Sequence, residues 1–83
     1  MKFKAEIDVM PHDALLDPQG KAVTQAMGTI GLNEIQDVRI GRHIRLFVEA
    51  NDASIATAKV EEACKKMLAN AIMESYSFTI EAV

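Results

Sequence analysis

The sequence predicts a single α+β domain with the element order β-α-β-β-α-β. Three observations carry that prediction. Apolar residues alternate with polar ones near both ends of the chain, at Phe3, Ala5, Ile7 and Val9 and again at Tyr76, Phe78 and Ile80. That is the two-residue period of strands with one buried face. Apolar residues recur at helical spacing in Ala22, Val23, Ala26, Met27 and Ile30, and in Ala56, Val60, Ala63, Cys64, Met67 and Leu68. Between these stripes lie two short apolar runs, Ile35 to Ile40 and Ile44 to Ala50, close enough to form a hairpin.

The first strand alternates Phe3, Ala5, Ile7 and Val9 with Lys2, Lys4, Glu6 and Asp8, and Pro11 ends it. The first helix starts at Pro18, with Asp17 placed to cap its free amides. It is expected to run to about Ile30, with Gly31 as terminator. Gln19 and Gly20 exceed what capping requires. A glycine in a solvent-facing turn costs about 1 kcal/mol against alanine, so Gly20 is read as a point of close approach by another chain or backbone.

Parity constrains the central hairpin. Val38 and Ile40 should share a face with Ile44, Leu46 and Val48. A two-residue loop at Gly41-Arg42 would set Ile40 opposite His43 and send the two apolar sets to opposite faces. A three-residue loop or a bulge is therefore expected. Asn51, Asp52 or Ser54 suits the cap of the second helix, which extends to about Asn70. Its Lys59, Glu61, Glu62, Lys65 and Lys66 face water, with charge pairs four residues apart. The last strand sets Tyr76, Phe78 and Ile80 against Ser75, Ser77, Thr79 and Glu81. Right-handed crossovers then give a four-stranded antiparallel sheet with both helices on one face, the ferredoxin-like topology.

At 83 residues the chain makes one small domain, of a size that buries only about 60–65% of its unfolded surface and gains from oligomerisation. A net charge of −3 without a dense basic cluster argues against a nucleic-acid partner. No apolar run approaches the ~20 residues of a membrane span, and Met1 to Glu6 lacks the continuous apolar core of a signal peptide. The single Cys64 excludes an intrachain disulfide and a multi-cysteine zinc site, and fits a cytoplasmic location.

No catalytic set emerges. Cys64 lies in mid-helix, whereas a nucleophilic thiol needs a sharp turn and a neighbouring histidine; it reads as core. His12 and His43 occupy separate loops without a second ligand at helical spacing, and read as surface or subunit-contact groups. Arg39, Arg42 and Arg45 flank the hairpin, suited either to an anionic ligand or acidic partner surface or to a solvated strand face. Met27 and Met67 read as packing. The first loop, Met10 to Leu16, has neither the glycine-rich cradle and arginine of an acylphosphatase nor the paired cysteines of a metallochaperone. Phe47 alone is too little for an RNA-stacking face.

The ordered set Leu16-Asp17-Pro18-Gln19-Gly20-Lys21-Ala22-Val23, Val38-Arg39 with Gly41, Val60-Glu61-Glu62-Ala63-Cys64, Leu68-Ala69-Asn70, then Glu74 and Tyr76 resembles the PurS family, across nearly the whole chain. Ala71 stands where the family often has proline. PurS is the small subunit of bacterial and archaeal phosphoribosylformylglycinamidine (FGAM) synthase. The resemblance implies a non-catalytic subunit that binds a glutaminase (PurQ) and a synthetase (PurL) and helps ammonia pass between them. It implies a complex using glutamine and ATP with magnesium and no cofactor on this chain. Self-association as a dimer or tetramer is expected from the marginal core and from the edge strands and polar outer face of a small open sheet. Candidate subunit-contact residues are Asp17, Pro18, Gln19, Gly20, Arg39, Arg42 and Tyr76. The competing readings are a small ferredoxin-like ligand-binding regulatory module and an independent small enzyme.

Overall fold

The computed structural model describes residues 1–83. Its elements are β1 (Lys2–Pro11), α1 (Pro18–Thr29), β2 (Arg42–Glu49), α2 (Ala53–Ala63) and β3 (Glu74–Ala82), with a π-helical turn at Cys64–Leu68 continuing α2. The sheet is antiparallel with order β2-β1-β3. Phe3 pairs with Val48, Ala5 with Leu46 and Ile7 with Ile44 on one side of β1. Ala5 pairs with Ile80, Ile7 with Phe78 and Val9 with Tyr76 on the other. The alternation read from the sequence therefore lands on one face of three strands.

α2 seals the centre of that face. Ala5, Ile7, Val9, Val60, Cys64 and Ala69 form the buried core, and Ile44, Leu46, Val48, Tyr76, Phe78 and Ile80 pack around it half-buried. Asp52 caps α2, its Oδ1 accepting from the Ile55 amide at 2.9 Å. The helix does not stay regular to Asn70. The Ala69 N–H donates to the Cys64 carbonyl, five residues back, which widens the last turn and turns Met67 outward, 85% exposed. Met67 is thus surface, against its expected packing role.

The sequence reading fails most clearly between Gly31 and Gly41. No fourth strand forms there, and the three-residue loop at Gly41-Arg42-His43 does not form either. Two local causes are visible. Asp37 sits at φ +52°, in the left-handed region, which breaks the extended run. The amides a strand ladder would use are taken by side chains: Val38 N–H donates to Thr24 Oγ1 and Ile40 N–H to Asp17 Oδ2. Arg42 and His43, expected in the turn, instead begin β2, paired with Val9 and Asp8.

α1 is the second departure. It is not packed on the sheet, and only Gly20 of its residues is buried. The stripe of Ala22, Val23, Ala26, Met27 and Ile30 remains partly or fully exposed. The chain consequently spans 51 × 26 × 14 Å with a radius of gyration of 16.4 Å, where a compact chain of this length would give about 12 Å. Two parts result: a body of β1, β2, β3 and α2, and an arm of α1 with the segment that returns to Gly41.

Candidate subunit-contact surface

The arm is held at its base by Asp17. One carboxylate oxygen accepts from the Gly20 amide at 3.0 Å, capping α1, and the other accepts from the Ile40 amide at 2.9 Å. These amides, Gly20 first, hold the Asp17 carboxyl below its ordinary value. Thr24 forms a second tie: its hydroxyl donates to the Gly20 carbonyl at 2.9 Å and accepts from the Val38 amide at 3.0 Å. Gly20 is required by this closure. A Cβ there would lie 2.3 Å from the Val38 carbonyl oxygen and 2.5 Å from Asp17 Oδ2. The sequence points to another chain as the partner of Gly20; the close neighbour in the structure is instead the chain's own returning segment.

Arg39 braces the same base. Its guanidinium donates to the Leu15 carbonyl at 2.8 Å and to the Asp13 carbonyl at 2.6 Å. Between loop and arm lies an open groove of about 600 Å³, with Lys21, Gln25, Asp37 and Arg39 on its walls. Pro18 and Gln19 are exposed at the start of α1.

Arg42 organises the neighbouring end of the sheet. It donates to the Glu74 carboxylate and, at 2.6 Å, to the Leu68 carbonyl. Glu74 also accepts from the Asn70 amide at 2.9 Å. Arg42, helped by that amide, lowers the Glu74 carboxyl to about 2. Tyr76 reaches back to α2, its hydroxyl donating to Glu61, and that bond, with partial desolvation, pushes the phenol up to about 12.

The opposite, helix-free face of the sheet carries a separate ionic cluster. His43 lies between Asp8, at 2.7 Å, and Glu6, and Glu6 also accepts from Arg45. The carboxylates, Asp8 first, raise the imidazole, and His43 with Arg45 lowers Glu6. Cys64 is fully buried, and desolvation raises its thiol, away from nucleophilic thiolate chemistry.

Of the residues singled out from the sequence, Asp17, Gly20 and Arg39 come together at the arm base, with Pro18 and Gln19 beside them. Arg42 and Tyr76 stand at the end of the body. Thr24 and Glu6 hold these clusters and were missed, and Glu74 was marked only by the family resemblance, without its partner Arg42. A threonine inside a helix and carboxylates on a strand carry no local mark of partners that are distant in sequence.

The family model for PurS, described as phosphoribosylformylglycinamidine (FGAM) synthase, matches residues 4–82. The chain is similar to the FGAM synthase subunit PurS of Bacillus subtilis, 40% identical over 81 residues that cover 98% of this chain and 95% of that one. A crystal form of B. subtilis PurS superimposes with a TM-score of 0.84 at 39% identity, over 96% of this chain and 99% of that one. A chain in the structure of PurLQS from Thermotoga maritima gives 0.89 at 28% identity, over 98% and 99%. The match runs through the arm as well as the body, and the chain belongs to the PurS family of FGAM synthase.

Proposed function

We propose that this chain is the non-catalytic small subunit of FGAM synthase, joining a glutaminase subunit and a synthetase subunit and associating with copies of itself. The observation that carries the reading is the unpacked arm beside a half-covered sheet. An amphipathic helix left open to solvent and strands buried on only part of one face are surfaces built to meet other chains. In the complex, the glutaminase releases ammonia and the synthetase uses ATP with magnesium to activate the amide oxygen of formylglycinamide ribonucleotide. The products are FGAM, glutamate, ADP and phosphate. Ammonia freed into neutral water protonates to ammonium and loses its nucleophilic lone pair, so a closed path between subunits preserves reactivity. A subunit that completes such a path works through shape and contacts. The reading places the protein in the cytoplasm.

The test is reconstitution. The three subunits together should co-elute and turn over glutamine-dependently, and omission of this chain should abolish assembly. A synthetase–glutaminase pair that assembles and turns over equally well without it would end the proposal. The groove at the arm base favours a second reading, a small-ligand regulator. Calorimetry of the isolated chain with nucleotides, glutamine and other amino acids separates the two, since tight binding would favour the regulator.

A further inference from the structure

Resting on the part of that reading that joins this chain to other subunits, we infer that the open edge of β3 is a strand-acceptor site: it takes up an extended, base-flanked segment of a partner subunit of different sequence. β3 ends the order β2-β1-β3, so one of its sides has no neighbour. The bonds at its two ends show which residues face that side. The Val83 amide donates to the Lys2 carbonyl and the His12 amide to the Met73 carbonyl, each at 2.9 Å, and the register is unbroken in between. In an antiparallel ladder, opposed residues that exchange both bonds alternate with opposed residues that exchange none. Ser75, Ser77, Thr79 and Glu81 therefore spend their amides and carbonyls on β1. Tyr76, Phe78, Ile80 and Ala82 turn theirs outward, along the open edge.

The residues of this edge call for a cover. Ser75 to Ile80 reads Ser-Tyr-Ser-Phe-Thr-Ile, six residues without a charge, a proline or a glycine. A stretch so rich in aromatic and β-branched residues is an aggregation hazard when its edge stays open. Charged side chains are one of the devices that blunt an edge, and β2, on the far side of the sheet, carries Arg42, His43, Arg45 and Glu49. β3 has no such device between Glu74 and Glu81. Beside its free amides runs an apolar row. Tyr76, Phe78 and Ile80 are half-buried on the helix side of the sheet, and the Tyr76 and Phe78 rings lie 6.4 Å apart, within 13° of parallel. α2 leaves this row partly open, so the apolar side chains of an added strand would extend the layer.

Charge selects the occupant. The only charged residues on β3 are Glu74 and Glu81, one near each end. Glu74 is engaged by Arg42, whereas Glu81 is 69% exposed with only a 3.8 Å contact to Lys4. A second copy of the strand, laid down in either direction, would bring acid to acid at both ends. A segment with alternate apolar residues and a lysine or arginine at each end complements both. In this mode of recognition the main-chain bonds supply affinity and the alternate side chains supply specificity.

Methylation of the Phe78 amide nitrogen tests this. It removes one outward donor, puts a methyl group in the path of an added strand and keeps the side chain. Cys64 is the single cysteine, so a synthetic segment 64–83 can be ligated to residues 1–63 and the full chain refolded. The methylated chain should unfold at the same temperature as the unmethylated ligation product, and should bind the synthetase and glutaminase subunits about tenfold or more weakly. Equal binding overturns the edge site alone. Failure of the unmethylated chain to bind either subunit overturns the bridging reading beneath it, and the edge site with it. Amide exchange on the natural chain tells another subunit from a second copy. Tyr76, Phe78 and Ile80 should exchange freely in the chain alone, with Ser77 and Thr79 protected, and should become protected in the complex of all three subunits. Protection of Tyr76, Phe78 and Ile80 in the chain alone gives the edge to a second copy and overturns the proposal, as does their free exchange in the assembled complex. Should the methylated chain not fold, this exchange pattern decides.

Discussion

The body and the arm are made of similar residues and held by different means. In the body, strand alternation and helical periodicity converge on one apolar layer, with Phe3, Ala5, Ile7 and Val9 backed by Ala56, Val60 and Cys64. In the arm, α1 has an apolar stripe of ordinary composition that does not pack on the sheet, with Ala22, Ala26 and Ile30 exposed and Val23 and Met27 half-buried. Its order comes from two side chains, Asp17 and Thr24, that close the base through backbone amides. Hydrophobic burial thus fixes the body, while directional hydrogen bonds fix the arm and leave its apolar face available.

The sharpest way to break this contrast is truncation of apolar residues in each part. Ile7 is fully buried, so Ile7→Ala should cost about 2–5 kcal/mol of unfolding free energy in denaturant titrations. Ile30 is 68% exposed, and in a monomeric state Ile30→Ala should change stability by less than about 0.5 kcal/mol. Comparable losses at the two positions would mean that the arm is packed in the monomer after all.

Gly20→Ala probes the arm base. Helix propensity alone favours alanine by up to about 1 kcal/mol. The contact with the Val38 carbonyl reverses the sign, and the substitution should cost about 1–3 kcal/mol of local stability. Faster amide exchange at Val38 and Ile40 is the expected readout. Unchanged or slower exchange there would show that the base tolerates a methyl group. Cys64→Ser acts on the body, where a hydroxyl in the site of a buried thiol should lower stability by about 1 kcal/mol. Glutamine-dependent turnover of the reconstituted complex should remain. Loss of glutaminase activity with an unaltered fold would make the thiol a participant in chemistry.

The finest contrast is in pH. Glu74 has a carboxyl lowered to about 2 by Arg42 and the Asn70 amide, so its contribution is present above the ordinary 4.5 and is lost as pH falls towards 2. Tyr76 is raised from 10 to about 12. Its contribution is complete below 10 and fades as pH rises through that interval. Both groups belong to the body. Thermal unfolding should show Glu74→Gln flattening the acid limb and Tyr76→Phe the alkaline limb, while Asp17→Asn weakens protection in the arm. An acid limb unaltered by Glu74→Gln would mean that other carboxylates control it.

The sequence by itself determined β1, β3, both helix starts and the faces they present, because each depends on neighbours a few residues away. A two-residue alternation makes a strand's face, and Asp17-Pro18 and the capping residues between Asn51 and Ser54 make helix starts, wherever the chain later goes; the structure picks out Asp52 among the latter. It also marked Gly20 as a close approach and Cys64 as core. Only the tertiary structure decided what comes near Gly20, where α1 lies, and that Ile35 to Ile40 makes no strand. Those outcomes turn on Thr24 and Asp17 capturing amides 14 and 23 residues away, and on Arg42 reaching Glu74 across 32. Such bonds are specified by the meeting of distant segments in three dimensions. A local pattern reports which face of a segment is apolar and is silent on what will cover it.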